Sequence, residues 1–185
     1  IFSKATSSIS GPYDAVTIPK GSKKTDWEVE LGVIIGEDCF HVSEKEALSV
    51  VSGYCIVNDV SEREFQFDHG GQWIKGKSAP TFGPIGPFLV TKDEIPDPQN
   101  LTLSLTLNGS TVQDSNTSDM IFSVRQIIAH LTQFMELRAG DIIATGTPEG
   151  VGNGMKPPTF LQAGDIMEVE IEHLGSQKQE VINFS

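Results

Sequence analysis

Apolar and polar positions alternate along Trp27-Glu28-Val29-Glu30-Leu31-Gly32-Val33. This period of two predicts a strand over residues 28–35 with Val29, Leu31 and Val33 on its core face. A second strand is expected over 53–59, with shorter ones over 15–18, 88–91, 101–107 and 111–114. Asn108-Gly109 carries the signal of a type I′ hairpin between the last two. The spacing becomes helical over 120–136, where Ile121, Val124, Ile127, Ile128, Leu131, Phe134 and Met135 recur. Strands return over 141–145, 166–171 and 178–183. Two capping boxes, Ser43 to Glu46 and Ser61 to Glu64, each predict the opening of a brief helix. Leu137-Arg138-Ala139-Gly140-Asp141-Ile142 is echoed by Leu161-Gln162-Ala163-Gly164-Asp165-Ile166, which similar turn chemistry explains without a repeat architecture.

Residues 69–87 break these patterns. They are rich in Gly and Pro and carry Trp73 and Phe82, which reads as a long ordered binding loop between strands. Gly71 to Ser78 matches the letters of a phosphate loop. Such a loop needs a helix directly after it, and Pro80, Pro84 and Pro87 with their flanking glycines forbid one. The nucleotide reading is rejected. Eight or nine strands with a few helices predict a β-rich α+β fold in a single domain over 1–185.

Composition narrows the function classes. At 185 residues, 38% of them hydrophobic, the chain can build a core without staples. Its formal charge of −12, with Arg63, Arg125 and Arg138 as the three arginines, lacks the basic footprint that nucleic acid or an anionic membrane surface requires. A small anionic substrate stays open, because a bound cation reverses the local field. Cys39 and Cys55 show no metal or redox spacing and are expected as reduced, buried thiols, which fits a cytoplasmic protein. No apolar run has the length of a membrane helix.

Glu28 and Glu30 are the first candidates for chemistry. They share the strand face opposite the core positions, with Cα atoms roughly 6.5–7 Å apart. An isolated Glu-x-Glu also fits a solvent-facing strand. Asp59, following the apolar Tyr54-Cys55-Ile56-Val57, supplies a third carboxylate and tips the reading to a hard divalent cation such as Mg²⁺. Asp59 could instead cap the next turn, but Ser61 is the better cap. Arg63 and Gln66 project from one side of that turn, a guanidinium fork for a carboxylate beside an amide for a carbonyl. Lys77, between small residues, is a compact cation able to swing into a cleft. Thr145-Gly146-Thr147-Pro148 offers hydroxyls and backbone donors as a carboxylate cradle, or an ordinary turn. His130 reads as a helix-surface histidine and not a ligand.

Taken together, several motifs resemble the fumarylacetoacetate hydrolase family. They are Glu28-x-Glu30, Asn58-Asp59-Val60-Ser61-x-Arg63-x-x-Gln66, Gly76-Lys77-Ser78, Asn116-Thr117-Ser118-Asp119-Met120 and Thr145-Gly146-Thr147-Pro148-x-Gly150-Val151-Gly152. Their order is kept over nearly the whole chain. The resemblance implies a mixed β-sandwich roll, a homodimer, and Mg²⁺ (or Mn²⁺ or Ca²⁺) held at Glu28, Glu30 and Asp59. It also implies Lys77 as the active-site lysine, with Arg63, Gln66 and Thr147 at the substrate's oxo and carboxylate groups. Members of the family carry a Gly-x-Asn-Tyr-x-x-His-x-x-Glu lid upstream of the stretch matched by Lys4 to Ser7. The chain opens at Ile1, so that segment is expected upstream of it.

These features lead to the expectation of a metal-dependent hydrolase or lyase that cleaves a C–C bond in a small 2,4-dioxo acid of the acylpyruvate type. Oxaloacetate decarboxylation, isomerisation of an unsaturated hydroxy-diacid and ureidoglycolate cleavage are alternatives on the same scaffold. A calcium-binding structural β-domain is the non-enzymatic alternative. Lys77, Arg63 and Thr147 speak against it, since a structural site has no need to gather them.

Overall fold

A computed structural model describes residues 1–184. Its strands are β1 (Ile9–Ser10), β2 (Val16–Ile18), β3 (Thr25–Asp26), β4 (Val29–Ile35), β5 (Val51–Asn58), β6 (Ser61–Glu62), β7 (Gly83–Thr91), β8 (Thr102–Leu107), β9 (Ser110–Asn116), β10 (Ile142–Ala144), β11 (Ile166–Ile171) and β12 (Gly175–Asn183). The α-helices are α1 (Arg63–Phe67), α2 (Ile74–Lys77) and α3 (Val124–Leu131). One mixed sheet runs β1-β7-β5-β4-β10, a second runs β2-β12-β11-β8-β9, and β3 pairs with β6. The result is the β-rich α+β fold expected. Val29, Leu31 and Val33 of β4 enter one core with Leu103 and Leu105 of β8, Met167 and Val169 of β11 and Val181 of β12. Burying such side chains contributes about 1.5–3 kcal/mol each.

The hairpin at Asn108-Gly109 has positive φ at both residues (52° and 78°), as a type I′ turn demands. The two echoed segments form the same turn: Asp141 and Asp165 each accept from the backbone three residues upstream, at 2.8 Å, and Gly140 and Gly164 both sit at φ 94°.

Four local expectations are corrected. The helix expected over 120–136 shortens to α3, because Ser123 caps it in a capping box with Gln126, and 132–135 only turn. Ile121 and Phe134 are consequently exposed at 90% and 65%, although their spacing matched the helix. At Ser43 only half of the box forms: its amide donates to Glu46 Oε2, but its hydroxyl also donates there, and the Glu46 amide goes to the Ser43 carbonyl. Residues 44–50 form turns and no helix, since end-group bonds do not supply the turns a helix needs to propagate. The long loop over 69–87 is split by α2 and by β7, which starts at Gly83 and carries Pro84 and Pro87 within it. The phosphate-loop rejection stands, since Lys77 ends a helix here and does not precede one. Cys55 is buried and its thiol is pushed up to about 12 by burial, while Cys39 is only half-buried; both are free. No helix among the described residues is long and apolar enough to cross a membrane.

Candidate functional site

Strand pairing assembles the acids. Antiparallel register sets Val29 of β4 against Asn58 of β5, so Glu28 and Asp59, one residue beyond each strand end, meet. The Asp59 amide donates to the Glu28 carbonyl at 2.9 Å, and Asn58 Oδ1 accepts from the Glu28 amide at 3.2 Å. Glu30 lies two residues along the same face. One carboxylate oxygen from each of Glu28, Glu30 and Asp59 falls within 4.8 Å of the others, and all three residues are buried.

Three cations converge on this cluster. Lys77, the last residue of α2, donates to Glu28 Oε2 at 2.8 Å and to Asp59 Oδ2 at 2.6 Å. Lys4 reaches Asp59 Oδ1 at 2.5 Å and the Val60 carbonyl at 3.1 Å. Arg63, the first residue of α1, places Nη1 2.7 Å from Glu28 Oε1, while Nε and Nη2 both lie 2.8 Å from Asp26 Oδ2. Its Nη1 also donates to Gln66 Oε1 at 3.1 Å. Asp26 in turn accepts from the amides of Gly152 (2.7 Å) and Asn153 (2.9 Å), which ties the C-terminal segment to the arginine.

Four carboxylates thus face three cations, and Glu30 is the acid left without an ion pair among the described residues. Its support among the described residues is the Gly146 amide, donating to Oε2 at 2.8 Å. Burial first, then the charges of Asp59 and Glu28, push the Glu30 carboxyl well above the usual carboxylate range. Burial also works against the Lys77 ammonium, but Glu28 and Asp59 outweigh it and hold the pKa above the ordinary value. For Lys4, burial prevails over the single partner Asp59, and its pKa falls. A divalent cation fits this arrangement. The donors are three hard carboxylate oxygens, as Mg²⁺, Mn²⁺ and Ca²⁺ prefer, and one of the three acids, Glu30, has no cation partner among the described residues.

The sequence-predicted residues fare differently in detail. Lys77 is fully buried and locked between two acids, where the sequence suggested a mobile side chain. Ser61 caps nothing; its hydroxyl donates to the Asp59 carbonyl, and Glu62 caps α1 by accepting from the Glu64 amide. The reason is that 61–62 pair with β3 as strand, so the cap moves to Glu62 and the helix starts one residue later than the box predicts. The Arg63 fork is occupied by Asp26 and Glu28. The Thr147 hydroxyl donates to the Val29 carbonyl (3.0 Å) and accepts from Gln113 Nε2 (2.8 Å). Thr147 also lines a cavity of about 540 Å³, which meets β4 through Leu31. Leu31 points to the opposite face from Glu30, so this cavity lies away from the acids. The 145–148 segment still meets the cluster, through Gly146. His130 is exposed and packs edge-on against Phe134, 5.1 Å between ring centroids.

Sequence reasoning missed Asp26, Lys4 and Gln113. Asp26 had a signal, an acid directly before the strand-forming Trp27, but nothing local shows that its partners are Arg63 and Gly152. Gly152 itself is tightly held: an added Cβ would lie 1.9 Å from the Thr159 carbonyl oxygen and 2.9 Å from Asp26 Oδ1. Gly152→Ala should therefore destabilise the fold by about 1–3 kcal/mol, since backbone must move. A urea denaturation midpoint equal to that of the parent protein would contradict this.

Comparison with known proteins gives a consistent picture. The sequence model described as fumarylacetoacetate (FAA) hydrolase C-terminal matches residues 1–182. A Burkholderia lata protein, provisionally named a hydrolase, is 59% identical over 180 residues, covering 97% of this chain and 64% of its own length. The fumarylacetoacetate hydrolase of Exiguobacterium antarcticum superposes with a TM-score of 0.96 at 41% identity, over 99% of this chain and 66% of its own. A 2-hydroxyhepta-2,4-diene-1,7-dioate isomerase from Mycobacterium marinum superposes at 0.88 with 36% identity, over 97% of this chain and 67% of its own. The chain therefore spans just under two thirds of the length of the curated relatives it matches.

Proposed function

The chain belongs to the fumarylacetoacetate hydrolase family, and on that footing we propose that it is the catalytic part of a divalent-metal-dependent enzyme cleaving a C–C bond in a small 2,4-dioxo acid of the acylpyruvate type. The observation that carries this reading is the convergence of Glu28, Glu30 and Asp59 with Lys77 and Arg63 at one buried point. Glu28, Glu30 and Asp59 would hold Mg²⁺, or Mn²⁺ or Ca²⁺, which when bound supplies Lewis acidity toward the substrate's 1-carboxylate and 2-oxo oxygens.

The chain's own residues do the rest. Lys77 lies between Glu28 and Asp59, at hydrogen-bond distance from both. From there it would serve as a compact positive charge for the developing enolate oxygen. Arg63 and Gln66 would orient the substrate's oxo and carboxylate groups from the start of α1, and the turn that carries Thr147 would meet the substrate through the Gly146 amide, which already reaches Glu30. Activation of water is assigned to the His and Glu of the family's lid motif, which residues 1–185 do not include. The active form is a cytoplasmic homodimer, a point sedimentation velocity checks.

A second reading is isomerisation of an unsaturated hydroxy-diacid, favoured by the likeness to the Mycobacterium marinum isomerase. Steady-state assays with acetylpyruvate, oxaloacetate and a hydroxy-dienedioate, each with and without Mg²⁺, decide between them. Mg²⁺-dependent turnover of acetylpyruvate above the others is the expected result. Turnover of the dienedioate alone would replace the hydrolase reading with the isomerase one.

A further inference from the structure

Three aromatic rings lie in succession beside the charged cluster. Lys77 Nζ stands 5.0 Å from the centroid of the Phe2 ring. The Phe2 and Trp73 centroids are 5.1 Å apart, and Phe67 meets Trp73 edge-on at 5.9 Å. All three stay substantially in water, at 42%, 42% and 47% exposure. Single exposed aromatics are ordinary, but a contiguous set leading away from a buried ionic centre is the pattern of a binding surface.

The cations nearby are already engaged. Lys75 donates to the His69 carbonyl at 2.8 Å, and Lys24 lies 3.6 Å from Asp68. Lys4, Arg63 and Lys77 all face carboxylates of the cluster. The lysines beside the rings thus already have partners, whereas three π-faces are placed to receive an apolar plane.

We propose that Phe2, Trp73 and Phe67 form the tail-selecting wall of the site, and that the substrate is a 2-oxo acid with an apolar, planar tail and not a second carboxylate. This rests on the metal-dependent 2-oxo-acid reading above. The 2-oxo acid head goes to the cations and carboxylates, and the tail stacks on Trp73 in reach of Phe2 and Phe67.

The test is calorimetric binding to the Mg²⁺-loaded protein of three ligands sharing one head: pyruvate, phenylpyruvate and 2-oxoglutarate. Phenylpyruvate should bind tighter than pyruvate by about tenfold or more, the scale on which apolar pockets discriminate. Trp73→Ala and Phe67→Ala should each remove most of that preference, the loss on phenylpyruvate being several times the loss on pyruvate. Trp73→Phe, which keeps a ring, should retain it. Equal binding of phenylpyruvate and pyruvate, equal losses on both in the alanine variants, or a preference for 2-oxoglutarate would each overturn the proposal while leaving the metal and head-group reading intact. Failure of all three ligands to bind would sink that reading itself, and this proposal with it.

Discussion

Glu30→Gln should cost the protein its tight divalent-metal binding while raising the melting temperature of the metal-free fold. The two effects have one origin. Glu30 is buried among Glu28 and Asp59 without a cation of its own, and its carboxyl is held well above the usual range by burial and by those two charges. A group whose folded pKa lies above its unfolded value contributes stability that is present below the unfolded pKa and lost as pH rises through the folded one. Above the unfolded pKa Glu30 therefore works against the metal-free fold, and a neutral amide of the same shape removes the penalty. The melting temperature should rise by about 2–4 °C per kcal/mol recovered. Metal affinity should move the other way. Altering groups that merely support metal ligands costs about 10–100-fold, so removing a ligand charge should cost at least about 10²-fold. Titration calorimetry and thermal melts with excess chelator read the two effects separately. Undiminished Mg²⁺ affinity in the variant would refute the ligand assignment.

Lys77→Ala should lower kcat by about 10²–10³-fold with a much smaller change in KM, because a preorganised charge matters most where negative charge develops. The side chain also pairs with Glu28 and Asp59 inside the protein. Removing one partner of a buried ion pair costs about 3–5 kcal/mol, so the variant should be assayed in saturating Mg²⁺, where the metal can offset the exposed acids. Lys77→Arg keeps a charge but not a compact one, and should recover stability more than rate. A kcat within twofold of the parent value in either variant would return Lys77 to a purely structural role.

Strand alternation made much of this site legible. Glu28 and Glu30 could be set on one face from the period of two alone, and Asp59 could be set at a strand end from the apolar run before it. What could not be read is the pairing register that brings Asn58 opposite Val29, since a sequence states which residues form strands and not which strands meet. The charged groups around the acids show the same divide. Lys77 and Arg63 were found through motif order, but Lys4 and Asp26 act through partners 55 and 126 residues away, for which no local pattern exists. Helix ends failed for a different reason. Periodicity carried 120–136 as one helix, and the Ser123–Gln126 capping box, a shorter-range signal, overrode it.

The bond from the Gly152 amide to Asp26 has a consequence for the order of events at the ribosome. At about 5–20 residues per second, Asp26 leaves the synthesis site roughly 6–25 s before its partner 126 residues later is made. Arg63, which Asp26 steadies, emerges early in that interval. The aspartate and the arginine must therefore wait, half-supported, while β7 to β10 are added. The guanidinium therefore gains its full support only after Gly152 has been made, and ion-dependent ordering at α1 is expected to follow that residue. Nascent chains stalled before residue 150 should show no ion-dependent protection from protease at α1, whereas the completed chain should.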